Sequence, residues 1–378
     1  MDYYNEFMHL ERLGEGINKN DLSREQSIEL NKLISRKISD VRATAKPKQC
    51  LYCGATNLPF CNSHTVPEFC LRAIDIEGEG KVNSPNIIMG LPNLGVSISK
   101  ETLGLNESGT FRRICRPCDS KIFSDYENPD IYPTLQEPTS KMLAEIAMKN
   151  YLKFIDKRTF EIELFNQMLA SIPFDIFGFS IRKQISEYDL RCYQRNYNKA
   201  KKLSQKSQND GYYLIYYKLL DYVAPIAMQS PIVLATDLEG NTVNYVLNDD
   251  PNYSPSDLHL CVFPMKEKTA IMMFIDNGAN CYRRFYKQFR KLNEEDQLGV
   301  INYMIFLYTE DYFLAKDLQS KVDLMQFQEV SRLTPNMYSN VPNPKRKYDM
   351  LNEQFNLAKW KNIPNLLSEQ YKLSTNIE

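Results

Sequence analysis

Two pairs of cysteines, each separated by two residues, constrain the fold of this chain more than any other feature. Cys50 and Cys53 form the first pair, and Cys115 and Cys118 form the second. A two-residue spacer in a tight turn lets both sulfurs of a pair face one point, so the two pairs can place four thiolates around one tetrahedral Zn²⁺. The chain has nine cysteines and no recognisable export signal, which favours metal-bound thiolates over a disulfide framework. The sequence therefore predicts a structural zinc site.

The segment between the two pairs contains one histidine in an unusual setting. His64 lies in the run Asn62-Ser-His-Thr-Val-Pro-Glu68, and the chain has only three histidines. A closed four-thiolate site leaves no position for a reactant, so catalysis needs another group. An imidazole titrates near neutrality and can take a proton from water, which makes His64 a candidate general base. The alternatives are a structural histidine or a replacement zinc ligand, a role also open to Cys61 and Cys70, which flank it.

Length and charge limit the class of protein. With 378 residues the chain can form two or three domains. Its net charge of −1 gives no overall positive field, so binding to nucleic acid requires local basic patches. The first residues lack the basic and apolar regions of a secretory signal, and no uninterrupted apolar run reaches the length of about 18 residues that a membrane helix needs. We therefore expect a cytoplasmic protein that does not bind a membrane.

The spacing of apolar and turn residues predicts an α+β fold, in which a small zinc module precedes a helical region and an antiparallel sheet. Predicted helices cover residues 23–41, 119–126, 141–154, 160–172, 183–206, 282–291 and 295–307. Predicted strands cover residues 81–82, 86–89, 96–99, 232–235, 242–246, 258–263 and 271–275. The predicted domains are 1–45 (N-terminal helical segment), 46–135 (zinc module), 136–222 (helical region with a basic helix), 223–335 (α+β domain) and 336–378 (polar C-terminal tail).

The order of these motifs resembles that of the HNH, or ββα-metal, endonucleases with a four-cysteine zinc site. That family places a strand with histidine and proline between two cysteine pairs, and Asn, His or Asp and then a helix directly after the second pair. The resemblance covers about residues 48–130. It implies a ββα module in which His64 is the general base that activates water against a phosphodiester. It also implies that Asp119 binds a catalytic Mg²⁺ or similar divalent ion, separate from the structural zinc.

The chain departs from this family at the residue before the histidine. That position usually carries Asp, Glu or His as a second metal ligand, whereas here it is Ser63. Glu68, Asp125 and Glu127 are candidates for the missing carboxylate. The chain is also similar to a group of bacterial proteins in which a glutamate follows the second pair at the spacing of Glu127, so this residue is a third predicted catalytic group. Asp119 has an alternative role as the cap of the following helix.

Two clusters of basic residues are predicted to bind nucleic acid. One surrounds the second cysteine pair and the other follows the predicted 183–206 helix at spacings of three or four residues: Arg112, Arg113, Arg116 and Lys121, and Arg191, Arg195, Lys199 and Lys202. Phosphates favour such a stripe, and the tyrosines between its members can stack on bases or pack on the core. The alternative for the stripe is a solvated helix face.

The resemblance implies an endonuclease that hydrolyses phosphodiester bonds in nucleic acid, with DNA as the expected partner. Modules of this family commonly serve restriction or defence against phage, which is therefore the expected setting. A different class remains open: a non-catalytic zinc-stabilised protein that binds nucleic acid or protein, in which Ser63 marks a lost metal site. A protein partner or a homo-oligomer also remains open.

Overall fold

The chain forms three layers, with one antiparallel sheet between two groups of helices. The computed structural model describes residues 24–86, 97–105, 109–170, 179–246, 253–324, 326–327, 330 and 344–374. The helices are α1 (Arg24–Thr44), α2 (Glu68–Ile74), α3 (Arg116–Ile122), α4 (Ser140–Leu169), α5 (Phe179–Ser204), α6 (Arg283–Phe289), α7 (Glu294–Tyr308) and α8 (Pro344–Gln354). The strands are β1 (Ser63–His64), β2 (Lys81–Asn86), β3 (Ser97–Gly104), β4 (Thr110–Phe111), β5 (Tyr212–Leu220), β6 (Ile226–Ile232), β7 (Leu258–Pro264), β8 (Thr269–Asp276) and β9 (Tyr312–Leu314). The predicted α+β class is confirmed.

Seven strands form the main sheet in the order β3-β2-β9-β6-β7-β8-β5, and all neighbours are antiparallel. The predicted strands at residues 258–263 and 271–275 are confirmed as β7 and β8. The predicted strand 232–235 is wrong except for Ile232, the last residue of β6, and the predicted strand 242–246 is wrong, because only an isolated bridge between Thr236 and Thr242 forms there. Asp237 accepts hydrogen bonds from the backbone N–H groups of Glu239 and Asn241, so side-chain bonds shape this segment as a loop.

Each face of the sheet packs against its own set of elements, as strand β7 illustrates. Cys261 and Phe263 belong to the core shared with α4, α5 and the zinc module. Leu260 and Val262 belong to the core shared with α6, α7 and the C-terminal segment. Side chains alternate between the two faces of a strand, so consecutive residues enter different cores. A continuous apolar run is therefore needed in a strand that is covered on both sides.

The helical middle of the chain differs from the prediction in one respect. Residues 141–154 and 160–172, predicted as two helices, lie in the single helix α4 as far as Leu169, and residues 171–172 lie outside the described part. Residues 155–159 contain no Gly or Pro to end the helix, and Ile155 and Phe160 are both buried. Thr139 caps the start of α4, because its side chain accepts a hydrogen bond from Met142 N at 3.2 Å. In the parts of the chain that the structure describes, no helix has the length and apolar character needed to cross a membrane.

Strands β2 and β3 connect the zinc module to the main sheet. They lie between the two cysteine pairs in sequence, and β2 pairs with β9 where Asn83 faces Leu314. Parts of the predicted strands 86–89 and 96–99 fall at residues 87–96, outside the described part. Gly109, just before β4, has a φ of +58°, and a Cβ there would lie 2.5 Å from Phe313 Cζ. Only glycine fits this close approach. The domain boundaries themselves stay predictions.

Helix α4 carries a stripe of charged residues toward the interior. They recur at every fourth position: Lys141, Glu145, Lys149, Lys153, Lys157 and Glu161. Residues four apart are neighbours on the helix surface, and because four residues make slightly more than one turn, the stripe winds gradually around α4. All four of its lysines form ion pairs with carboxylates outside α4: Lys141 with Asp125, Lys149 with Asp119 and Glu127, Lys153 with Asp311, and Lys157 with Glu310. The stripe thus ties α4 both to the zinc module and to the segment before β9.

Glu145 is the more buried of the two carboxylates in this stripe, and it makes the stability of the protein depend on pH. Its side chain is buried, its Oε2 has no hydrogen-bond partner among the described residues, and burial raises the pKa of Glu145 from 4.5 to about 8. Between these two values the folded chain keeps a proton that the unfolded chain releases, so stability falls as pH rises. We expect Glu145→Gln to remove this contribution, whose slope is at most about 1.4 kcal/mol per pH unit.

Urea denaturation at several pH values from about 5 to 8 tests this expectation. The free energy of unfolding of Glu145→Gln should increase relative to that of the wild-type protein as the pH increases. The difference between the two proteins isolates Glu145, because every other group titrates in both. A difference that stays constant over this range would show that Glu145 is ionised in the fold.

Candidate zinc module and catalytic site

The four predicted zinc ligands come together in space. Their sulfurs, from Cys50, Cys53, Cys115 and Cys118, all lie within 4.8 Å of one another. The Sγ atoms of Cys53 and Cys115 are 3.8 Å apart. Four sulfurs in a tetrahedron at a Zn–S distance of about 2.3 Å are separated by about 3.8 Å, so the spacing fits. This group could therefore hold a metal ion such as zinc.

Backbone hydrogen bonds shape both cysteine pairs. Gly54 N donates to Cys50 O at 2.8 Å, and Cys118 N donates to Cys115 O at 3.0 Å. Gly54 has a φ of +75°, a conformation that closes the first turn and that other residues rarely adopt. Burial raises the pKa of Cys50, but backbone hydrogen bonds from Cys53 and Cys115 outweigh it and bring the pKa to about 7. This favours the thiolate that zinc binding requires.

The other two cysteines near the module remain outside this group. Cys61 Sγ donates to Asp119 Oδ2 at 3.4 Å. Burial, followed by the Asp119 charge, raises the pKa of Cys61, so it stays a thiol. Cys70 is fully buried in the core, and burial raises its pKa well above the usual value. Neither sulfur belongs to the group of four, which agrees with the choice of ligands made from the sequence.

Within the module, strands β1 and β4 form a two-stranded ribbon, and helix α3 follows β4 in the sequence. β1 pairs with β4, with Ser63 opposite Phe111 and His64 opposite Thr110. Helix α3 begins directly after Cys115, which occupies its N-cap position. Asp119 therefore lies within the first turn and does not cap the helix. The helix ends at Ile122, earlier than the predicted 126, so Glu127 lies beyond it.

Asp119 lies in a partly buried polar cluster that contains Ser63, Lys149 and Glu127 besides Cys61. Ser63 Oγ donates to Asp119 Oδ1 at 2.7 Å. Lys149 Nζ, from helix α4, lies 3.8 Å from the same Oδ1 and donates a hydrogen bond to Glu127 Oε1. The Lys149 side chain is only 2% exposed, and its ammonium lies 4.5 Å from the centre of the Phe123 ring. The structure thus brings two predicted catalytic carboxylates together through one lysine.

His64 directly follows Ser63 of this cluster in the sequence, but its side chain forms a hydrogen bond with a residue outside the cluster. Its Nε2 lies 3.0 Å from Leu105 O. A carbonyl oxygen only accepts, so Nε2 must carry the proton in this bond. The neutral imidazole then has its lone pair on Nδ1, where it can accept a proton from water. This arrangement is compatible with the predicted general base.

The residues around Asp119 fit a second metal ion less well than the cysteines fit zinc. Asp119 and Ser63 offer oxygen atoms, the ligands that Mg²⁺ prefers. However, the Lys149 ammonium already lies beside Asp119, and its charge would repel a divalent cation. Asp119 as arranged here is neutralised by a lysine.

The basic residues around the second cysteine pair have different positions. Arg112, Arg116 and Lys121 are exposed. Arg113 is buried, and its guanidinium donates to Asp156 Oδ1 at 2.6 Å and to Ala45 O at 3.2 Å. Three side chains of this predicted cluster therefore face solvent, while the fourth ties the module to α4.

The predicted basic stripe lies on an exposed face of helix α5. Its four members, Arg191, Arg195, Lys199 and Lys202, are all exposed, and Lys199 forms an ion pair with Asp276. The tyrosines between them face the core: Tyr197 is 4% exposed, and the Tyr193 ring lies 6.2 Å from that of Tyr151. Of the two roles predicted for these tyrosines, Tyr193 and Tyr197 therefore show core packing.

Comparisons of this chain with protein-family models, with curated proteins and with solved structures gave no match. What the chain does must therefore be inferred from its own site. One residue of that site, Lys149, was not predicted. No local pattern marks it, because its contacts with Asp119 and Glu127 depend on how α4 packs against the module.

Proposed function

We propose that this chain is an HNH-like endonuclease that hydrolyses phosphodiester bonds in nucleic acid, with His64 as the general base. The observation that supports it best is the hydrogen bond of 2.7 Å between Ser63 and Asp119. It places the residue before His64 against the residue that follows the second cysteine pair. Positions 63, 64 and 119, to which the HNH resemblance assigns chemistry, thus lie in one small module beside four cysteines.

The side chains of the module have distinct roles in this proposal. His64 Nδ1 takes a proton from the attacking water, while Leu105 O holds the imidazole in the required tautomer. The exposed Arg112, Arg116 and Lys121 bind the negative charge of the phosphate. The four cysteines hold zinc, which keeps the ribbon and helix α3 in position and takes no part in the reaction.

A catalytic divalent ion such as Mg²⁺ belongs to the metal-dependent form of this proposal. When bound, it would stabilise the negative charge on the phosphate and the leaving oxygen. Asp119 would hold it, and Lys149 would have to move away from Asp119 first. DNA is the proposed substrate, and defence against phage in a bacterial cytoplasm is the proposed setting, both on the strength of the resemblance.

A second function is favoured by the Lys149 contact. In this version the chain is a non-catalytic zinc-stabilised protein that binds nucleic acid or a protein. Lys149 forms ion pairs with both Asp119 and Glu127, and Ser63 stands where a metal-binding side chain is expected. Because the lysine already compensates part of the carboxylate charge, this site attracts a metal ion less strongly.

Cleavage of supercoiled plasmid with and without added Mg²⁺ distinguishes the two functions. We expect wild-type protein to cut, and His64→Ala to slow cutting by about a hundredfold or more, the usual size of a general-base contribution. Asp119→Asn should have a comparable effect if Asp119 holds the ion. Arg72→Gln is the matched control, because Arg72 is an exposed residue of α2 in the same module. Equal zinc content in all variants shows that the module is intact.

If the wild-type protein leaves plasmid, linear and single-stranded DNA uncut in the presence of Mg²⁺, the nuclease proposal is wrong. A gel shift that persists without divalent ions and is unchanged in His64→Ala would then support the binding function. Cutting that His64→Ala retains in full would assign the general base to another residue.

A further inference from the structure

Helix α6 and the two residues that follow it carry a basic surface that none of the predicted sites includes. Residues 283–291 contain five basic side chains and no acidic one, although the whole chain has a net charge of −1. Phe285 and Phe289 of this helix are fully buried against the sheet. The basic side chains are all exposed: Arg283, Arg284, Lys287, Arg290 and Lys291. Local positive charge on this face is therefore much higher than the composition suggests.

Most of these cations have no carboxylate partner in the part of the chain that the structure describes. Within the described residues, only Arg284 forms an ion pair, at 3.8 Å from Asp237 Oδ2. The nearby acidic residues at the start of α7 are partly engaged elsewhere, since Glu294 pairs with Lys218 at 2.6 Å. Unpaired exposed cations raise the local potential and attract anionic partners.

Two tyrosines lie beside these cations. The Arg290 guanidinium lies 5.3 Å from the centre of the Tyr286 ring. Tyr213, on the edge strand β5, contacts Tyr286 edge to face at 5.7 Å and donates a hydrogen bond to its hydroxyl at 3.1 Å. The Tyr213 ring is 42% exposed, so part of it faces solvent. Exposed aromatic rings next to cations are the features with which proteins bind unpaired bases and their phosphates.

The edge of the sheet links this surface to the basic stripe of α5. Lys199 of that stripe pairs with Asp276 at the end of β8, and β8 is the neighbour of β5. Two residues further along α5, Lys201 Nζ donates to Tyr52 O, between the two cysteines of the first pair, at 2.5 Å. The last turns of α5 therefore lie close both to the zinc module and to the end of the sheet where Tyr213 lies.

We propose that α6 and Tyr213 form a binding surface for single-stranded nucleic acid, separate from the zinc module. The cations of α6 bind successive phosphates, and Tyr213 stacks on an unpaired base. A duplex fits less well, because its bases are already stacked on one another and cannot cover the tyrosine. This binding does not depend on hydrolysis, so it is independent of whether His64 is a catalytic residue.

Fluorescence anisotropy with a labelled oligothymidylate of about 16 nucleotides tests this proposal without added divalent ions. We expect Lys287→Glu/Arg290→Glu to weaken binding by about tenfold or more, and to reduce the salt dependence by about 1.4 in the slope of log K against log salt, for two lost phosphate contacts. Tyr213→Thr, which keeps a good strand former, should weaken binding about fivefold or more through lost stacking.

The matched control is Lys32→Glu/Arg36→Glu, which makes the same charge change on the exposed face of helix α1. It should bind like the wild-type protein, and all variants should show the same thermal unfolding. The proposal is overturned if the α6 variant binds like this control, or if the wild-type protein does not bind the oligonucleotide. It is also overturned if the protein prefers duplex DNA or anionic lipid vesicles and Tyr213→Thr has no effect.

Discussion

Replacing Cys115 with serine is expected to reduce the zinc content from about one ion per chain to almost none. Cys115 is nearly fully buried, and its backbone N–H donates to Cys50 Sγ at 3.3 Å, so we expect no other side chain to take its place. Structural zinc contributes about 10–16 kcal/mol to the folding of small zinc-finger peptides. Here the module also packs on the main sheet, so we expect the module to unfold locally while the sheet persists. Elemental analysis measures the zinc, and hydrogen exchange measures the local unfolding.

The expected exchange pattern is specific. Amides of the cysteine pairs, β1, β4 and α3 should lose protection, whereas those of β7 and β8 should keep it, because these strands are buried on both faces. Cys281→Ser provides the matched control, since Cys281 is exposed and lies outside the group of four sulfurs. Full zinc content in Cys115→Ser would show that another ligand set binds the metal, with Cys61 as the first candidate.

Replacing Lys149 with methionine is expected to destabilise the protein by about 3–5 kcal/mol, the usual cost of removing one partner from a buried ion pair. The Lys149 side chain is 2% exposed and pairs with both Asp119 and Glu127, so methionine leaves two carboxylates without this cation. Methionine keeps the length of the side chain, which limits the loss of packing against Phe123. Urea denaturation measures the change in the free energy of unfolding.

A double substitution separates charge from packing in this experiment. Glu127→Gln removes one of the two carboxylate charges, so it should recover part of the stability that Lys149→Met loses. Lys218→Met is the control, because Lys218 pairs with Glu294 at an exposed position and should cost less than about 1 kcal/mol. If Lys149→Met loses no more stability than this control, the ammonium is not a structural partner of the two carboxylates.

The Lys149 contact also bears on the choice between the two proposed functions. A nuclease that uses Mg²⁺ at Asp119 needs this lysine to move, so Lys149→Met should bind divalent ions more tightly than the wild-type protein. A binding protein has no such requirement. Stability and metal affinity of this one variant therefore complement the plasmid assay, and neither measurement depends on cleavage.

The zinc ligands could be predicted because their geometry is mostly local. A spacing of two residues places two sulfurs on one turn, and Gly54 supplies the conformation that closes the first turn. The long basic helix was also predictable, because residues three and four apart share a helix face whatever lies opposite. The predicted stripe of Arg191, Arg195, Lys199 and Lys202 is accordingly exposed on α5.

The long-range contacts could not be predicted, because strand pairing uses backbone groups that every residue carries. The pairing of Asn83 with Leu314, which brings the zinc module into the main sheet, leaves no mark on either side chain. Lys149 shows the same limit, since a lysine in a long helix is normally expected to face solvent. Sequence by itself determined which side chains can bind zinc and where charge recurs along a helix, because both depend on near neighbours. Only the tertiary structure decided that Lys149 meets Asp119 and Glu127, because that contact depends on how α4 packs against the module.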